Sequence, residues 1–228
     1  MDDRTFDEKN AQTWMATVEN EKNQARSEDI YPRLKQWAER IVPAQVLDIG
    51  CGQGICAEQI GLGSQYTGVD PSSFLIGRAR SRHSRANRSF VEGNIYQLPF
   101  EEQSFDAAFS ISVWHLLQDP ARASSELARV LKPGGHFLLI TANPDSYERW
   151  KALYRDGVSN GKRFEGVLQL PGQPESSGLR DVLYLHTLRE IEEALGQSGL
   201  LPKLTETFRP ASPGGPGTYL LLRGIKAA

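Results

Sequence analysis

The chain has 228 residues, of which 24% are charged and 39% hydrophobic, and its net charge is −2. Roughly three quarters of the unfolded surface is buried at that length without staples, and the charge balance argues against a strong global grip on nucleic acid or anionic membrane. The two cysteines, Cys51 and Cys56, offer neither a disulfide framework nor a metal-ligand spacing. No stretch approaches the roughly 20 apolar residues of a membrane span. The first ten residues, MDDRTFDEKN, are charged and hold no apolar signal core. The expectation is a soluble, cytoplasmic protein with reduced thiols.

In chain order, two helical patterns come first. One runs from about Asn10 to Glu21, with Trp14 and Val18 four apart. The other runs from about Pro32 to Ile41, with Leu34, Trp37, Ala38 and Ile41 on one face. From Val46 strands alternate with helices: strands at 45–49, 65–69, 88–92, 105–111 and 136–141, helices at 53–60, 72–83 and 120–131. Apolar strands in such alternation imply a parallel sheet covered on both faces. LKPGG, Leu131 to Gly135, reads as a helix stop and turn. Residues 143–186 break the rhythm with prolines, glycines and aromatics, and read as a long irregular segment. A helix follows, opened by a capping box of Thr187 and Glu190 and stopped at Gly199. Two last strands, about 203–209 and 218–225, flank PASPGGPG as a hairpin. The expected fold is α/β: a Rossmann-like, doubly wound, mostly parallel seven-stranded sheet with an antiparallel C-terminal hairpin and helices on both faces.

VLDIGCGQG, Val46 to Gly54, ends the first strand. In such sheets ligands sit at the carboxyl ends of strands, and glycine lets the backbone turn sharply and approach them. The spacing is G-x-G-x-G, and the third glycine of a dinucleotide fingerprint would fall on Ile55. Asp48 is a poor neighbour for a pyrophosphate and a good one for a cation such as an ammonium. Some twenty residues on, YTGVDPS puts Asp70 at the end of the second strand, where a carboxylate can accept from ribose hydroxyls. A ribose and a cationic part without a diphosphate describe S-adenosylmethionine.

With VLDIGCGQG, GVDPS, the segment Phe90 to Pro120 and ELARVLKPGGHFLLI in order, the sequence resembles the class I S-adenosylmethionine-dependent methyltransferases, type 11 small-molecule branch. The resemblance is strong over 45–142 and weak over 187–225. It implies S-adenosyl-L-methionine as cofactor and S-adenosyl-L-homocysteine as product. Carried over residue by residue, it implies that Asp48, Gly50, Cys51 and Gly52 surround the methionine end. Asp70 then holds the ribose, Pro71 lies against the adenine, Asn94 and Ile95 meet its edge, and Ser110 and Ile111 line the methionine moiety. Asn94 stands where the family often has Asp.

The same resemblance places the acceptor beyond the fourth strand. Trp114, His115, Tyr184 and His186 are the candidate substrate residues, and His115 and His186 the candidates for a general base. Trp114 and His115 also read as core or structural residues. Tyr184 and His186 share one side of an extended piece, and Trp14, Tyr31, Tyr147, Trp150 and Tyr154 are candidates to roof the pocket. The domain reading is an N-terminal helical cap at 1–42 and a methyltransferase domain at 43–228 carrying a substrate-side insertion at 143–186. Methyl transfer is an in-line displacement in which the cofactor carries the reactivity and the protein supplies placement and dryness, so the motifs themselves name no catalytic residue. The expected function is methyl transfer to a small-molecule acceptor, with no membrane partner. The alternatives are an RNA or protein methyltransferase, supported only by the arginines in GRARSRHSRANR, and a non-catalytic S-adenosylmethionine-binding protein.

Overall fold

The computed structural model describes residues 8–19, 24–41, 44–169, 178–210, 213 and 215–228. Helix α1 (Glu8–Val18) and a π-helical turn (Ala25–Ile30) lead into α2 (Tyr31–Ala38), whose first turn holds Pro32, where an absent N–H is no loss. The expected end of the first helix at Glu21 lies outside the described residues. Next come β1 (Gln45–Ile49), β2 (Gln65–Asp70), α3 (Ser73–His83), β3 (Arg88–Glu92), β4 (Phe105–Ile111), α4 (Pro120–Val130) and β5 (Leu131–Ala142). After them stand α5 (Tyr147–Lys151), β6 (Tyr154–Asn160), β7 (Arg163–Leu168), β8 (Leu179–Tyr184), α6 (Leu188–Gln197), β9 (Leu200–Pro210) and β10 (Gly217–Lys226).

Seven strands form one sheet in the order β3-β2-β1-β4-β5-β10-β9. β1 to β5 run parallel, and β10 is antiparallel to both β5 and β9. This is the doubly wound sheet with a terminal hairpin that the alternation implies. Its two faces are read directly from the period-2 alternation of side chains. Phe137 and Leu139 of β5 join Ala108, Leu127, Ile191 and Leu195 in one core cluster, beneath α4 and α6. Leu138 and Ile140 join Ala107, Phe109, Ile76, Leu34 and Trp37 in the other, beneath α3 and α2. Helix α2 therefore covers one face of the sheet as well as belonging to the N-terminal segment.

Three local expectations are corrected. The helix expected over 53–60 is a five-residue 3-10 turn, Ile55–Gln59. Gly54 enters it at φ +83° without a side-chain cap, Gly61 follows at once, and neither end supports a longer helix. The last parallel strand begins earlier than 136, because Leu131 pairs with Phe105 before LKPGG bulges outward and His136 pairs with Ala107. The segment 143–186 is not irregular: β6, β7 and β8 build a separate antiparallel sheet. Strand β6 is exposed along almost its whole length and carries no apolar alternation to announce it. Pro171 and Pro174 of that segment lie outside the described residues. The capping box is present, with the Thr187 hydroxyl accepting the Glu190 N–H and the Glu190 carboxylate accepting the Thr187 N–H. Among the described residues no helix is long and apolar enough to cross a membrane.

Phe109 is fully buried, edge-on to Trp37 at a centroid distance of 6.0 Å and tilted against Tyr66 at 6.4 Å. Phe109→Ala is expected to lower unfolding stability by about 3–5 kcal/mol, measured by urea denaturation against the unchanged chain.

Candidate functional site

A cavity of about 340 Å³ opens at the carboxyl ends of β1, β2 and β4, on both sides of the point where strand order reverses. Four parts of the chain wall it, one of them the closing hairpin with Arg209, Thr218 and Tyr219. The strand ends contribute Ile49, Gly50, Gly52, Val69, Asp70, Pro71, Ile95, Ile111 and Ser112. The N-terminal helices contribute Trp14, Val18, Arg26 and Ile30, and the added sheet with its approach contributes Trp150, Leu153, Tyr154, Leu168, Leu179 and Asp181.

The glycine loop takes its shape from positive φ at Gly50 (+76°), Gly52 (+53°) and Gly54 (+83°). A side chain at Gly50 would stand 2.3 Å from Val113 Cγ2, so the residue is fixed by both conformation and space. The loop is held by Asp70, whose Oδ2 accepts the Gly52 N–H at 2.9 Å while Oδ1 accepts the Ser72 N–H at 2.9 Å. Burial pushes Asp70 up to about 6 against those two donors. Each carboxylate oxygen keeps a lone pair, and the residue lies on the cavity wall beside Pro71. These features fit the diol and apolar ring of an adenosyl group. A Cβ at Gly52 would stand 3.5 Å from Trp14 Nε1, at ordinary contact distance, so the N-terminal helices close directly onto the loop. The Arg26 guanidinium lies over the Trp14 ring at 5.5 Å and supplies a cation on the same side. A methionine carboxylate suits that charge.

Of the residues singled out in the sequence, Gly50, Gly52, Asp70, Pro71, Ile95, Ile111 and His115 line the cavity. Others stand behind it. Asp48 is 1% exposed and accepts the Tyr66 hydroxyl at 2.6 Å; burial raises it to about 7, with the Asp70 charge adding to the shift. Cys51 packs against Gly68, and burial pushes its thiol well up. Asn94 turns its side-chain oxygen to the N–H of Tyr96 at 2.9 Å, capping its own turn. The Ser110 hydroxyl donates to the Ile49 carbonyl at 2.8 Å. Trp114 is 1% exposed within the α4–α6 face of the core. His186 meets the Leu117 carbonyl through Nε2 at 2.8 Å and stacks on Tyr184 at 6.2 Å, so those two share a side but not the cavity wall. Of the proposed roof, Trp14, Trp150 and Tyr154 line the cavity and Tyr31 and Tyr147 do not.

His115 stacks on Trp150 at 6.1 Å, and burial lowers it to about 4, which keeps the ring neutral at pH 7. Three further wall residues were not singled out in the sequence. Arg26 lies in the π-helical turn, a form without a sequence signature. Ser112 sits at φ +61°, a left-handed conformation that non-glycine residues avoid, and its N–H donates to the Ile140 carbonyl at 2.7 Å. Asp181 occupies an inward strand position between Leu179 and Leu183, and that alternation was the one available clue. The arginines of the α3 region find partners within the chain: Arg82 on Glu19, Arg85 and Arg88 on Glu58, Arg80 on the Phe90 carbonyl, and Arg78 over the Phe74 ring.

Residues 47–139 match the family described as Methyltransferase domain. The fatty-acid O-methyltransferase of Mycolicibacterium smegmatis is 39% identical over 103 residues, covering 44% of this chain and 38% of that protein. A phthiotriol/phenolphthiotriol dimycocerosates methyltransferase of Mycobacterium tuberculosis is 32% identical over 112 residues, 47% of this chain and 42% of that one. The chain thus spans about four tenths of the length of these curated relatives. An S-adenosylmethionine-dependent methyltransferase from Mesorhizobium loti shares the fold with TM-score 0.64 at 24% identity, covering 85% of this chain and 96% of that one. A Pyrococcus horikoshii protein does so with TM-score 0.70 at 20% identity, covering 92% and 93%.

A carboxyl raised by folding stabilises the native state below its unfolded value and loses that contribution as pH climbs through the folded one. Asp48 is raised from 3.8 to about 7, so its contribution is full below pH 3.8 and gone above about pH 7. Glu58, Asp106, Glu126 and Glu190 are lowered and act in the opposite sense. Asp48→Asn removes one acid from this balance. Urea midpoints at pH 5 and pH 8 are expected to fall more with pH in the unchanged chain than in the variant.

Proposed function

We propose that this chain is a class I S-adenosylmethionine-dependent methyltransferase of the type 11 branch and moves a methyl group to a small-molecule acceptor. The acceptor lies between the strand ends and the added sheet. The observation that carries the reading is the Asp70 carboxylate, buried on the cavity wall and binding the glycine loop and the start of α3 together. When bound, S-adenosylmethionine supplies a methyl group activated by its sulfonium.

The chain's own residues place and enclose. Asp70 orients the ribose through its remaining lone pairs, and Pro71, Val69 and Ile95 offer an apolar seat for the adenine. Arg26, over the Trp14 ring on the cavity wall, would meet the methionine carboxylate. Ile111 and Ser112 line the cavity at the end of β4 and would flank the methyl-bearing end of the cofactor. Trp14 and Val18 from one side and Trp150 and Leu153 from the other exclude water, which suits a displacement whose charge spreads on the way to the transition state. The curated relatives are named for fatty-acid and phthiotriol substrates, and the apolar acceptor end agrees with a small apolar acceptor. The buried, free cysteines Cys51 and Cys56 support action in the cytoplasm.

The test is thermal unfolding with S-adenosylhomocysteine, S-adenosylmethionine and NAD. At about a hundred times the dissociation constant a ligand stabilises by about 2.7 kcal/mol, a rise of roughly 5–10 °C for a chain of this size. Both adenosyl ligands are expected to raise the midpoint and NAD to leave it unchanged. Asp70→Asn is expected to weaken S-adenosylhomocysteine roughly 10- to 100-fold, read by calorimetric titration. No shift with either adenosyl ligand would sink the proposal.

A further inference from the structure

The added sheet carries one buried acid that neither the fold nor the cofactor reading uses. Asp181 lies on β8, 5% exposed, on the cavity wall. Its Oδ1 accepts the Val182 N–H at 2.8 Å and its Oδ2 the Tyr154 hydroxyl at 3.0 Å. Among the described residues no lysine or arginine pairs with it. Of the cavity-wall arginines, Arg209 is spent on Asp29 and Glu28, and Arg149 stands exposed at the rim and donates to the Thr218 hydroxyl. Leu168 and Leu179 stand on the same buried face of the added sheet, and both line the cavity. A carboxylate among such neighbours is costly unless donors reach it. Two donors are in place, and each oxygen still has a lone pair for a third.

The neighbouring polar groups are neutral donors. Burial and the adjacent carboxylate push the Tyr154 phenol far up, so it keeps its proton. His115 is read from its partners: the Ala142 N–H, which can only donate, points at Nδ1 at 3.4 Å. The Thr141 hydroxyl oxygen accepts the His115 N–H at 3.0 Å and lies 2.9 Å from Nδ1. Nδ1 is therefore the acceptor and the proton of the neutral ring sits on Nε2. In that tautomer Nε2 donates, and the base role proposed below falls to Asp181.

We propose that Asp181 selects a hydroxyl acceptor with an apolar body and takes its proton during transfer; this rests on the methyltransferase reading above. A hydroxyl gives Asp181 the third donor its oxygens lack. A carboxylate acceptor brings a second negative charge into the same dry cavity end. An ammonium acceptor has no lone pair for attack. In the step, Asp181 receives the hydroxyl proton while the hydroxyl oxygen bonds to the methyl carbon. The carbon–sulfur bond breaks with its pair remaining on sulfur, and Asp181 returns the proton to water on product release.

The test titrates the full chain, with and without S-adenosylhomocysteine, with 4-butylphenol and 4-butylbenzoate, following calorimetric heat. The phenol is expected to bind roughly tenfold or more tighter than the benzoate. Asp181→Asn is expected to shrink that preference to near unity while S-adenosylhomocysteine still binds normally. Tyr154→Phe, which keeps the carboxylate and the ring volume, is expected to retain the preference and serves where the first variant fails to fold. Benzoate binding as tightly as the phenol, a preference untouched by Asp181→Asn, a preference lost in Tyr154→Phe, or no binding of the phenol overturns the proposal. Loss of S-adenosylhomocysteine binding in the unchanged chain strikes the cofactor reading instead, and the titration without it still reads Asp181.

Discussion

One carboxylate holds the site's two halves in register. Asp70 ends β2, yet it accepts the N–H of Gly52, which follows β1, and that of Ser72, which caps α3. A backbone amide cannot be moved without moving its strand, so these two bonds fix the glycine loop relative to the neighbouring crossover. The positive φ values at Gly50, Gly52 and Gly54 are the conformational condition for that bridge. Around it the rest follows. The loop forms the floor of the cavity, Val113 fills the space behind Gly50, and the N-terminal helices descend onto the loop at Gly52.

The walls come from separate stretches of chain with different physical characters. The floor is rigid parallel sheet, with both faces buried under helices. The N-terminal wall is held partly by charge: Arg82 of α3 meets Glu19 just past α1, and Arg209 of β9 meets Asp29 in the π-helical turn. Such exposed or half-exposed pairs are each worth little. The third wall is a small sheet whose β6 edge faces solvent. Packing thus declines from the floor outward, and the parts that meet a ligand last are the least constrained. That gradient suits a site that must admit its occupants and then dry around them.

Much of this was legible in the sequence because its signals are local. Five parallel strands, the Thr187–Glu190 box, the Gly199 stop and the closing hairpin each follow from neighbouring residues. The first two glycines and Asp70 were found because a ligand at a strand end has few ways to be held. What could not be read was where side chains turn. Asp48, Asn94 and Ser110 stand at the expected positions but bond to Tyr66, Tyr96 and the Ile49 carbonyl. Nothing within a few residues of Asp48 or Ser110 specifies those partners. The added sheet was missed for a related reason: strand β6 has no buried face of its own, and its pairing with β7 is a tertiary fact. Arg26 reaches the wall through a π-helical turn that propensity does not announce.

The protonation of Asp48 has a consequence for what can occupy the floor. With a value near 7, this acid is partly neutral in the empty protein around neutrality. A cation settling nearby draws it toward the charged form, so uptake of a positively charged occupant is coupled to release of protons into solution. A neutral occupant of the same shape exerts no such pull. The buried acid therefore lets pH set the relative occupancy of charged and uncharged forms of one ligand, with alkaline conditions favouring the charged form.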